Sequence, residues 1–365
     1  MNDVKDVLLG STLHDPRGVF LDSLPKTISI VLEGYKGWVV NVTATTDQRV
    51  KDVLRALAPQ GVFITETDPE NQIVPDKIEN DHLHLLSRTV TIAKELGVKK
   101  IQYTDGDRII TAATHYPKDL QALARRASEL LDNKRTYVNL RRSVEDYFSH
   151  HAPLVQTEFE FNRLYSEAFG IPIDIGSTAH GMSIDVVEEI LHRSPQMETV
   201  SFPHPKWLLI AKEMGVTIRS EETEHVLTFE TPDQFKKEVK ERIDEASLRY
   251  DLPLSTSNSP YKKVQQDYMA TLGLDSTVSS KEWDLRFNTE SQYLTILKNS
   301  LTLFGYNQER EGELRSDINR SLLSMEQRHR AINEALKTPP DEVSRMVQER
   351  AEHALSQNSS SPEGE

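Results

Sequence analysis

Ile101-Gln-Tyr-Thr-Asp-Gly-Asp107 is the stretch that best predicts the fold and the site, because an apolar strand runs directly into two acids separated by one glycine. In an open α/β sheet, ligands gather at the carboxyl ends of the strands. One carboxylate of such a pair can hold Mg²⁺ or Mn²⁺, which would neutralise a diphosphate, while the other meets a ribose or water. Asp-Gly is also common in surface turns. The strand before the acids and Arg108 after them favour the site.

On both sides of this stretch, short apolar runs alternate with helical patterns, which is typical of an α/β fold. We predict strands over residues 7–13, 38–43, 61–65, 101–103, 137–140, 216–218 and 226–229, with an extended segment over 171–177. Apolar residues at spacings of three and four predict helices over residues 24–35, 47–57, 83–97, 120–131, 159–169 and 184–191. The sequence therefore predicts one α/β domain over residues 1–250.

The pattern changes near residue 250. Thr289-Glu-Ser-Gln292 has the spacing of a capping box and predicts the start of a helix, and a long charged helix follows over residues 309–337. The composition of the last residues predicts disorder. We therefore predict an α-helical extension over residues 251–338 and a mostly disordered tail over 339–365. A homo-oligomer that forms through the helices of the extension stays an open alternative.

Composition excludes several classes of function. The 365 residues carry 43 Lys and Arg against 57 Asp and Glu, a net charge of −14, and an acidic chain repels the nucleic-acid backbone. No apolar run has the length that a bilayer requires, and acids stand at the N-terminus where a signal peptide needs positive charge. The absence of cysteine excludes disulfides, thiolate metal sites and cysteine nucleophiles. We expect a cytoplasmic protein that has no transmembrane segment and binds no nucleic acid.

The order of strand, helix, strand, helix, strand, long helix and a strand ending in Asp-x-Asp resembles the nucleotide-sugar half of the GT-A-fold glycosyltransferases, in a family-2-like form. Over roughly residues 5–245, five stretches also resemble a group of bacterial GT-A-like proteins of undefined substrate: Leu13-His-Asp-Pro-Arg-Gly18, Tyr103-Thr-Asp-Gly-Asp-Arg108, His115-Tyr-Pro-Lys-Asp-Leu120, Asp174-Ile-Gly-Ser-Thr-Ala-His-Gly-Met-Ser183 and Leu227-Thr-Phe-Glu-Thr-Pro-Asp233. The resemblance implies a Rossmann-like mixed sheet flanked by helices. It also implies transfer of a sugar from a nucleotide-diphosphate sugar to an unknown acceptor, with Mg²⁺ or Mn²⁺.

Carried over position by position, the resemblance implies that Asp107 is the catalytic metal ligand and that Asp105 is its partner on the ribose or metal side. Asp15 follows the first strand, where such folds meet the nucleobase, although a lone Asp before Pro is also typical of a turn. Arg88, on the helix before the acids, matches an arginine near the sugar-nucleotide. Arg108 would meet a phosphate or pair with a nearby acid.

The resemblance also implies an acceptor side. Residues 176–181 resemble the small-residue loop that closes beneath the donor sugar, so Ser177, Thr178, His180 and Gly181 would frame the acceptor. A tight strand-to-helix turn is the alternative for these residues. His225 lies where GT-A enzymes offer a further metal ligand, and its alternative is a structural role on a strand.

The catalytic base is not visible in the sequence. An inverting transferase needs a base that takes the proton of the acceptor. Phe202-Pro-His-Pro-Lys-Trp207, where the resemblance would place an acid, contains neither Asp nor Glu. Glu198, just before this stretch, and His204, within it, are therefore the candidates.

Alternatives from other classes stay open. The missing late acid and the long charged helices of residues 284–337 also fit a GT-A-like sugar-nucleotide-binding or scaffold protein without turnover. Asp-Gly-Asp-Arg resembles the metal loop of phosphohexomutases, but the stretch similar to their serine loop, residues 111–117, follows the acids and lacks serine. A nucleotidylyltransferase needs a glycine-rich loop after the first strand, and Asp15-Pro-Arg-Gly18 is too poor in glycine to cradle a triphosphate. A sugar-phosphate mutase or a nucleotidylyltransferase is therefore the weaker alternative.

Overall fold

The computed structural model describes residues 5–67, 72–131, 135–148, 150, 152–228 and 280–337. The chain divides into two compact units. The first consists of Met1–His150, Glu158–Thr231 and Gln292–Ile318, and the second consists of His151–Thr157, Pro232–Ser291 and Asn319–Glu365. The predicted domain limits at residues 250 and 338 lie outside the described residues and stay predictions.

A mixed sheet of seven strands, counted over the described ranges, runs through the first unit. Its strands are β1 Val7–Leu13, β2 Gly37–Val42, β3 Val62–Glu66, β4 Lys100–Thr104, β5 Thr136–Arg142, β6 Ala179–Ser183 and β7 Thr217–Thr223. The strand order is β3-β2-β1-β4-β6-β5-β7. Strand β6 is antiparallel to β4 and β5, and the other neighbouring pairs are parallel.

Helices follow most of the strands. They are α1 Leu24–Gly34, α2 Gln48–Leu57, α3 Lys77–Glu95, α4 Gly106–His115, α5 Pro117–Leu130, α6 Val144–Phe148, α7 Ala152–Phe169, α8 Ile184–Arg193, α9 His204–Glu213, α10 Ser280–Asn299 and α11 Gln308–Lys337. Helix α1 packs against α4 and α5, whereas α3 packs on β1 and β2 and against α8. Strands β1 and β2 are buried along almost their whole length, as expected of parallel strands that are covered on both faces.

The predicted fold class is confirmed as a mixed sheet flanked by helices, with a C-terminal helical region. Strand β1 has the predicted bounds, and α11 begins one residue before the predicted helix 309–337. None of the helices in the described ranges combines the length and the apolar composition that crossing a membrane requires.

Four local predictions were wrong. Residues 224–227 form bends and turns rather than the start of a strand, and Phe229 lies outside the described residues. Residues 175–177 form a 3-10 turn rather than extended chain. Thr289 lies inside α10, where its hydroxyl donates to the carbonyl oxygen of Leu285 at 2.9 Å, so it caps no helix start. Strand β6 was read as loop or turn, because Ala-His-Gly-Met-Ser contains no β-branched residue.

The strand order creates a crevice between β1 and β4. The chain passes from β1 to β2 and β3 on one side of β1, and it returns to β4 on the other side. Ligands of open α/β sheets bind outside the carboxyl ends of the strands at such a reversal of order. The fold therefore places whatever follows β1 and β4 at the expected position of a ligand.

Candidate functional site

Asp105 and Asp107 stand in this crevice, at the carboxyl end of β4. Asp105 is the residue before α4, and Asp107 lies in the first turn of that helix. The start of α4 approaches the end of β1 closely, because a Cβ on Gly106 would lie only 2.8 Å from the carbonyl oxygen of Thr12. The Asp-Gly-Asp triplet therefore begins a helix that is packed against β1, and it is not an isolated surface turn.

Three hydroxyl groups hold the carboxylate of Asp105. Its Oδ1 accepts from the hydroxyls of Tyr103 at 2.6 Å and Thr12 at 3.4 Å, and its Oδ2 accepts from Thr178 at 2.6 Å. Burial, together with the negative charge of Asp105, raises the pKa of Tyr103 well above its ordinary value, so the phenol remains a donor. The half-buried Asp107 accepts from the backbone N–H of Arg108 at 2.8 Å.

Arg108 lies beneath the acids as a buried positive charge. Its side chain is 4% exposed, and its Nε lies 4.0 Å from Oδ2 of Asp105. Nη2 donates to the carbonyl oxygen of Gly176 at 3.5 Å. Within the part of the chain that the structure describes, Nε and Nη1 have no hydrogen-bond partner. Arg108 was predicted to meet a phosphate or to pair with an acid, and the structure places it beside Asp105 and away from solvent.

A turn over residues 174–178 closes the other side of the site. Arg142, at the end of β5, is fully buried and binds Asp174 through Nε at 2.8 Å and Nη2 at 2.6 Å, and Nη2 also donates to Glu158. Burial alone would raise the pKa of Asp174, but the charge and the hydrogen bonds of Arg142 hold it below its ordinary value. A Cβ on Gly176 would collide with the Glu158 carboxylate. These contacts fix the turn.

Thr178 ends this turn with a left-handed backbone. Its φ is +50°, which is rare for a β-branched residue. Its hydroxyl reaches Asp105 at 2.6 Å, and the next residue begins β6. Thr178 is therefore a predicted acceptor-side residue that the structure brings to Asp105.

The other predicted acceptor-side residues are buried, and their role in framing an acceptor stays a prediction. Ser177 is fully buried and donates to the carbonyl oxygen of Asp174 at 2.8 Å. Gly181 lies within β6, opposite Gln102 and Val138. His180 is in the same strand and is 0% exposed.

His180 belongs to a buried aromatic cluster that also contains the predicted base His204. Nδ1 of His180 shares a hydrogen bond with the Tyr137 hydroxyl at 2.9 Å, and its Nε2 shares one with Nδ1 of His204 at 3.1 Å. The rings of Tyr103 and Trp207 pack around His204. Burial lowers the pKa of His180 to about 3 and that of His204 well below its ordinary value. Both rings are enclosed and held in the neutral form, which does not favour His204 as a catalytic base, and that role stays a prediction.

Asp15 and Arg88 do not face the acids. The buried carboxylate of Asp15 accepts from the backbone N–H groups of Val19 at 2.8 Å and Phe20 at 3.0 Å, so it shapes the loop after β1. This contact favours the turn that the sequence left open over a contact with a nucleobase. Arg88 is exposed on α3, opposite the side that packs on the sheet. A position of Arg88 beside a sugar-nucleotide stays a prediction.

Glu198 and His225 are both exposed. Glu198 lies in the loop before α9. His225 lies in the turn after β7, with a left-handed backbone at φ +59° and its ring stacked on Tyr116 at 4.9 Å. Among the described residues, no group of three His, Asp or Glu side chains is placed to hold a metal ion. The predicted set of Asp105, Asp107 and His225 is thus not brought together.

Sequence reasoning missed the residues that hold the acids in place. Tyr103 and Asp105 are two residues apart at the end of a strand, and this spacing puts both side chains on one face. The contact between Tyr103 and Asp105 could therefore have been predicted from this spacing. Arg142 and Asp174 are 32 residues apart in the chain, so no local pattern could pair them.

No family model matches this sequence, and no curated protein matches it. Among solved structures, it is similar to glucosyl-3-phosphoglycerate synthase from Mycobacterium tuberculosis, a GT-A-fold glycosyltransferase. The complex with phosphoglyceric acid gives a TM-score of 0.41 at 14% identity, covering 67% of this chain and 79% of the other. The complex with Mn²⁺, UDP-glucose and phosphoglyceric acid gives 0.40 at 13% identity, covering 60% and 70%. Likenesses this distant leave the activity of the chain to be inferred from its own residues.

Proposed function

We propose that this protein is a metal-dependent glycosyltransferase, which moves a sugar from a nucleotide-diphosphate sugar to an acceptor. One observation carries the proposal: Asp105 and Asp107 stand at the carboxyl end of β4, in the crevice where the strand order reverses. The hydrogen bonds from Thr12, Tyr103 and Thr178 hold one of the two carboxylates in place. An ordinary surface turn would not need three hydrogen bonds that hold a carboxylate in place.

The residues present fit Mg²⁺ or Mn²⁺ bound together with a diphosphate. A cage made of protein side chains alone is not found among the described residues. Mg²⁺ is usually held by one or two carboxylates, with substrate phosphates and water as the remaining ligands. Asp107 would supply a carboxylate oxygen, and Asp105 would add negative charge beside it. The metal, when bound, would neutralise the charge that develops on the leaving diphosphate.

The chain's own residues would then act on two sides of the crevice, the donor side and the acceptor side. Asp107 binds on the donor side. The turn over residues 174–178 bounds the acceptor side, and Arg142 and Glu158 make it rigid. Arg108, beside Asp105 and only 4% exposed, would not contact the donor.

A sugar-nucleotide-binding protein without turnover is the second candidate. The observation that favours it is the burial of His204, which leaves Glu198 as the remaining candidate base, on an exposed loop. Binding and turnover are separate measurements, so the two candidates can be told apart.

Release of nucleoside diphosphate from UDP-sugars and GDP-sugars tests the proposal. We expect slow release with Mn²⁺ or Mg²⁺, no release after removal of the metal with EDTA, and recovery when metal is restored, because the leaving diphosphate needs charge neutralisation. Donor binding without release would select the binding protein. Absence of both binding and release, with every donor and metal, would contradict both functions.

Location and assembly stay proposals. We propose a cytoplasmic protein that forms no complex with nucleic acid, in keeping with its net charge of −14. Self-association through the C-terminal helices also stays a prediction.

A further inference from the structure

We propose that Thr178 is a positioning residue, whose hydroxyl keeps the Asp105 carboxylate out of a hydrogen-bonded ion pair with Arg108, whose Nε lies 4.0 Å from Oδ2. Both acids of the crevice then keep their negative charge available to a divalent cation that carries a diphosphate. The inference deepens the proposed function and rests on it. It concerns how the negative charge of the two acids stays available to the cation.

The first observation is the conformation of Thr178. Left-handed backbone in a β-branched residue is strained and persists only where the surroundings enforce it. Here the turn is fixed by the ion pair of Arg142 with Asp174, and the residue after Thr178 enters β6. This conformation presents the Thr178 hydroxyl to Oδ2 of Asp105 at 2.6 Å.

The second observation is the state of Arg108. Its Nε lies 4.0 Å from the same Oδ2 atom, beyond hydrogen-bond distance. Nε and Nη1 have no partner within the described residues, although the side chain is 4% exposed. A buried donor without a partner is destabilising, and more so when the group is charged. A hydrogen-bonded ion pair with Asp105 would satisfy Nε, yet the separation of 4.0 Å is about 1 Å longer than the usual length of such a bond.

The hydroxyl groups explain this separation. Tyr103 and Thr12 bind Oδ1 of Asp105, and Thr178 binds Oδ2. Without the Thr178 hydroxyl, Oδ2 would still have a donor close by, because Nε of Arg108 lies 4.0 Å away and has no hydrogen-bond partner among the described residues. A bond from Nε would replace the lost bond from the hydroxyl with one in which donor and acceptor are both charged. We therefore expect Asp105 to turn to Arg108 in Thr178→Val.

An Asp105–Arg108 ion pair would weaken the site for a cation. Arg108 would cancel much of the negative charge of Asp105, and the cation would meet the field of Asp107 alone. Thr178 would thus influence cation affinity without contacting the cation.

The ligand-free test is NMR of the Nε–Hε group of Arg108 in arginine-labelled protein, with the signal assigned by its loss in Arg108→Lys. In Thr178→Val we expect a downfield shift and slower hydrogen exchange, because Nε gains a carboxylate partner. Thr178→Ser keeps the hydroxyl and should resemble the wild type. Thr178→Gly accepts the left-handed backbone without strain but lacks the hydroxyl, so it should resemble Thr178→Val. An unchanged signal in Thr178→Val, or wild-type behaviour of Thr178→Gly, would overturn the proposal.

The ligand-bound test is the affinity for UDP or GDP in the presence of Mn²⁺. We expect Thr178→Val to weaken it by about tenfold and Thr178→Ser to recover it. In an Arg108→Gln background the same valine substitution should have little effect, because the competing ion pair is gone. An equal loss in both backgrounds would contradict the proposal. If the wild type binds no nucleotide, the proposed function fails, and the NMR measurement still decides the role of Thr178.

Discussion

Replacing Arg142 by methionine is expected to lower the free energy of unfolding by about 3–5 kcal/mol. Arg142 is fully buried between the Glu158 and Asp174 carboxylates, which are themselves less than a tenth exposed. Methionine fills similar space but leaves two buried acids without a counter-charge. Breaking such a cluster from one side costs far more than the cluster contributes as a whole. Urea unfolding followed by circular dichroism measures the loss.

The neighbouring residue provides a matched control. Arg141 also forms an ion pair, with Glu222 at 3.2 Å, but their side chains are 25% and 52% exposed. Exposed pairs contribute about 0–1 kcal/mol, so Arg141→Met should change stability by no more than that. Adding Asp174→Asn and Glu158→Gln to Arg142→Met should recover part of the loss. Equal losses for Arg141→Met and Arg142→Met would show that the cluster does not anchor the turn.

Stability is expected to fall steeply as the pH falls below about 6.5, by about 2.7 kcal/mol per pH unit. Burial holds the pKa of His180 at about 3 and that of His204 well below its ordinary value. An unfolded histidine has a pKa near 6.5, so the unfolded chain binds more protons than the folded one between these values. The contribution of both histidines is therefore complete above about pH 6.5 and is lost as the pH falls toward 3. Each contributes about 1.4 kcal/mol per unit.

The window from pH 4.5 to 6.5 isolates this effect. The pKa of Asp174 is already lowered from its ordinary value of 3.8, so that group remains ionised throughout the window. Unfolding free energies at several pH values give the slope for wild type, His204→Gln and His192→Gln. His204→Gln should lose about half of the slope, and His192→Gln should keep it, since its side chain is 71% exposed. A wild-type slope near zero would contradict the neutral, buried state of the two rings.

The elements around the crevice were predictable because their signals are local. Strands β1 and β4 are apolar runs of ordinary strand length, and the acids follow β4 directly in the sequence. The exposed position of Arg88 could also be predicted from the sequence. It stands two residues after Leu86 and two before Val90, on the side of the helix opposite the apolar stripe. The resemblance to a family overruled that local signal.

The rest depends on tertiary pairing. His180 is buried because β6 lies between β4 and β5, and nothing in Ala-His-Gly-Met-Ser predicts a strand without those neighbours. The left-handed backbone of Thr178 follows from the anchored turn, since no β-branched residue favours it locally. Sequence reasoning therefore located the acids but could not predict what holds them.

Calorimetric titration of UDP and GDP, with and without Mn²⁺, into wild type, Asp107→Ala and Asp119→Ala tests the central claim most directly. Asp119 lies in the first turn of α5. Its replacement by alanine removes one negative charge, as Asp107→Ala does, and so provides a matched control. The account predicts Mn²⁺-dependent binding of one nucleotide that Asp107→Ala weakens by about 100-fold or more, and that Asp119→Ala leaves unchanged. If the protein binds neither nucleotide, or if neither the removal of Mn²⁺ nor Asp107→Ala changes the affinity, a metal–diphosphate site in the crevice between β1 and β4 is contradicted.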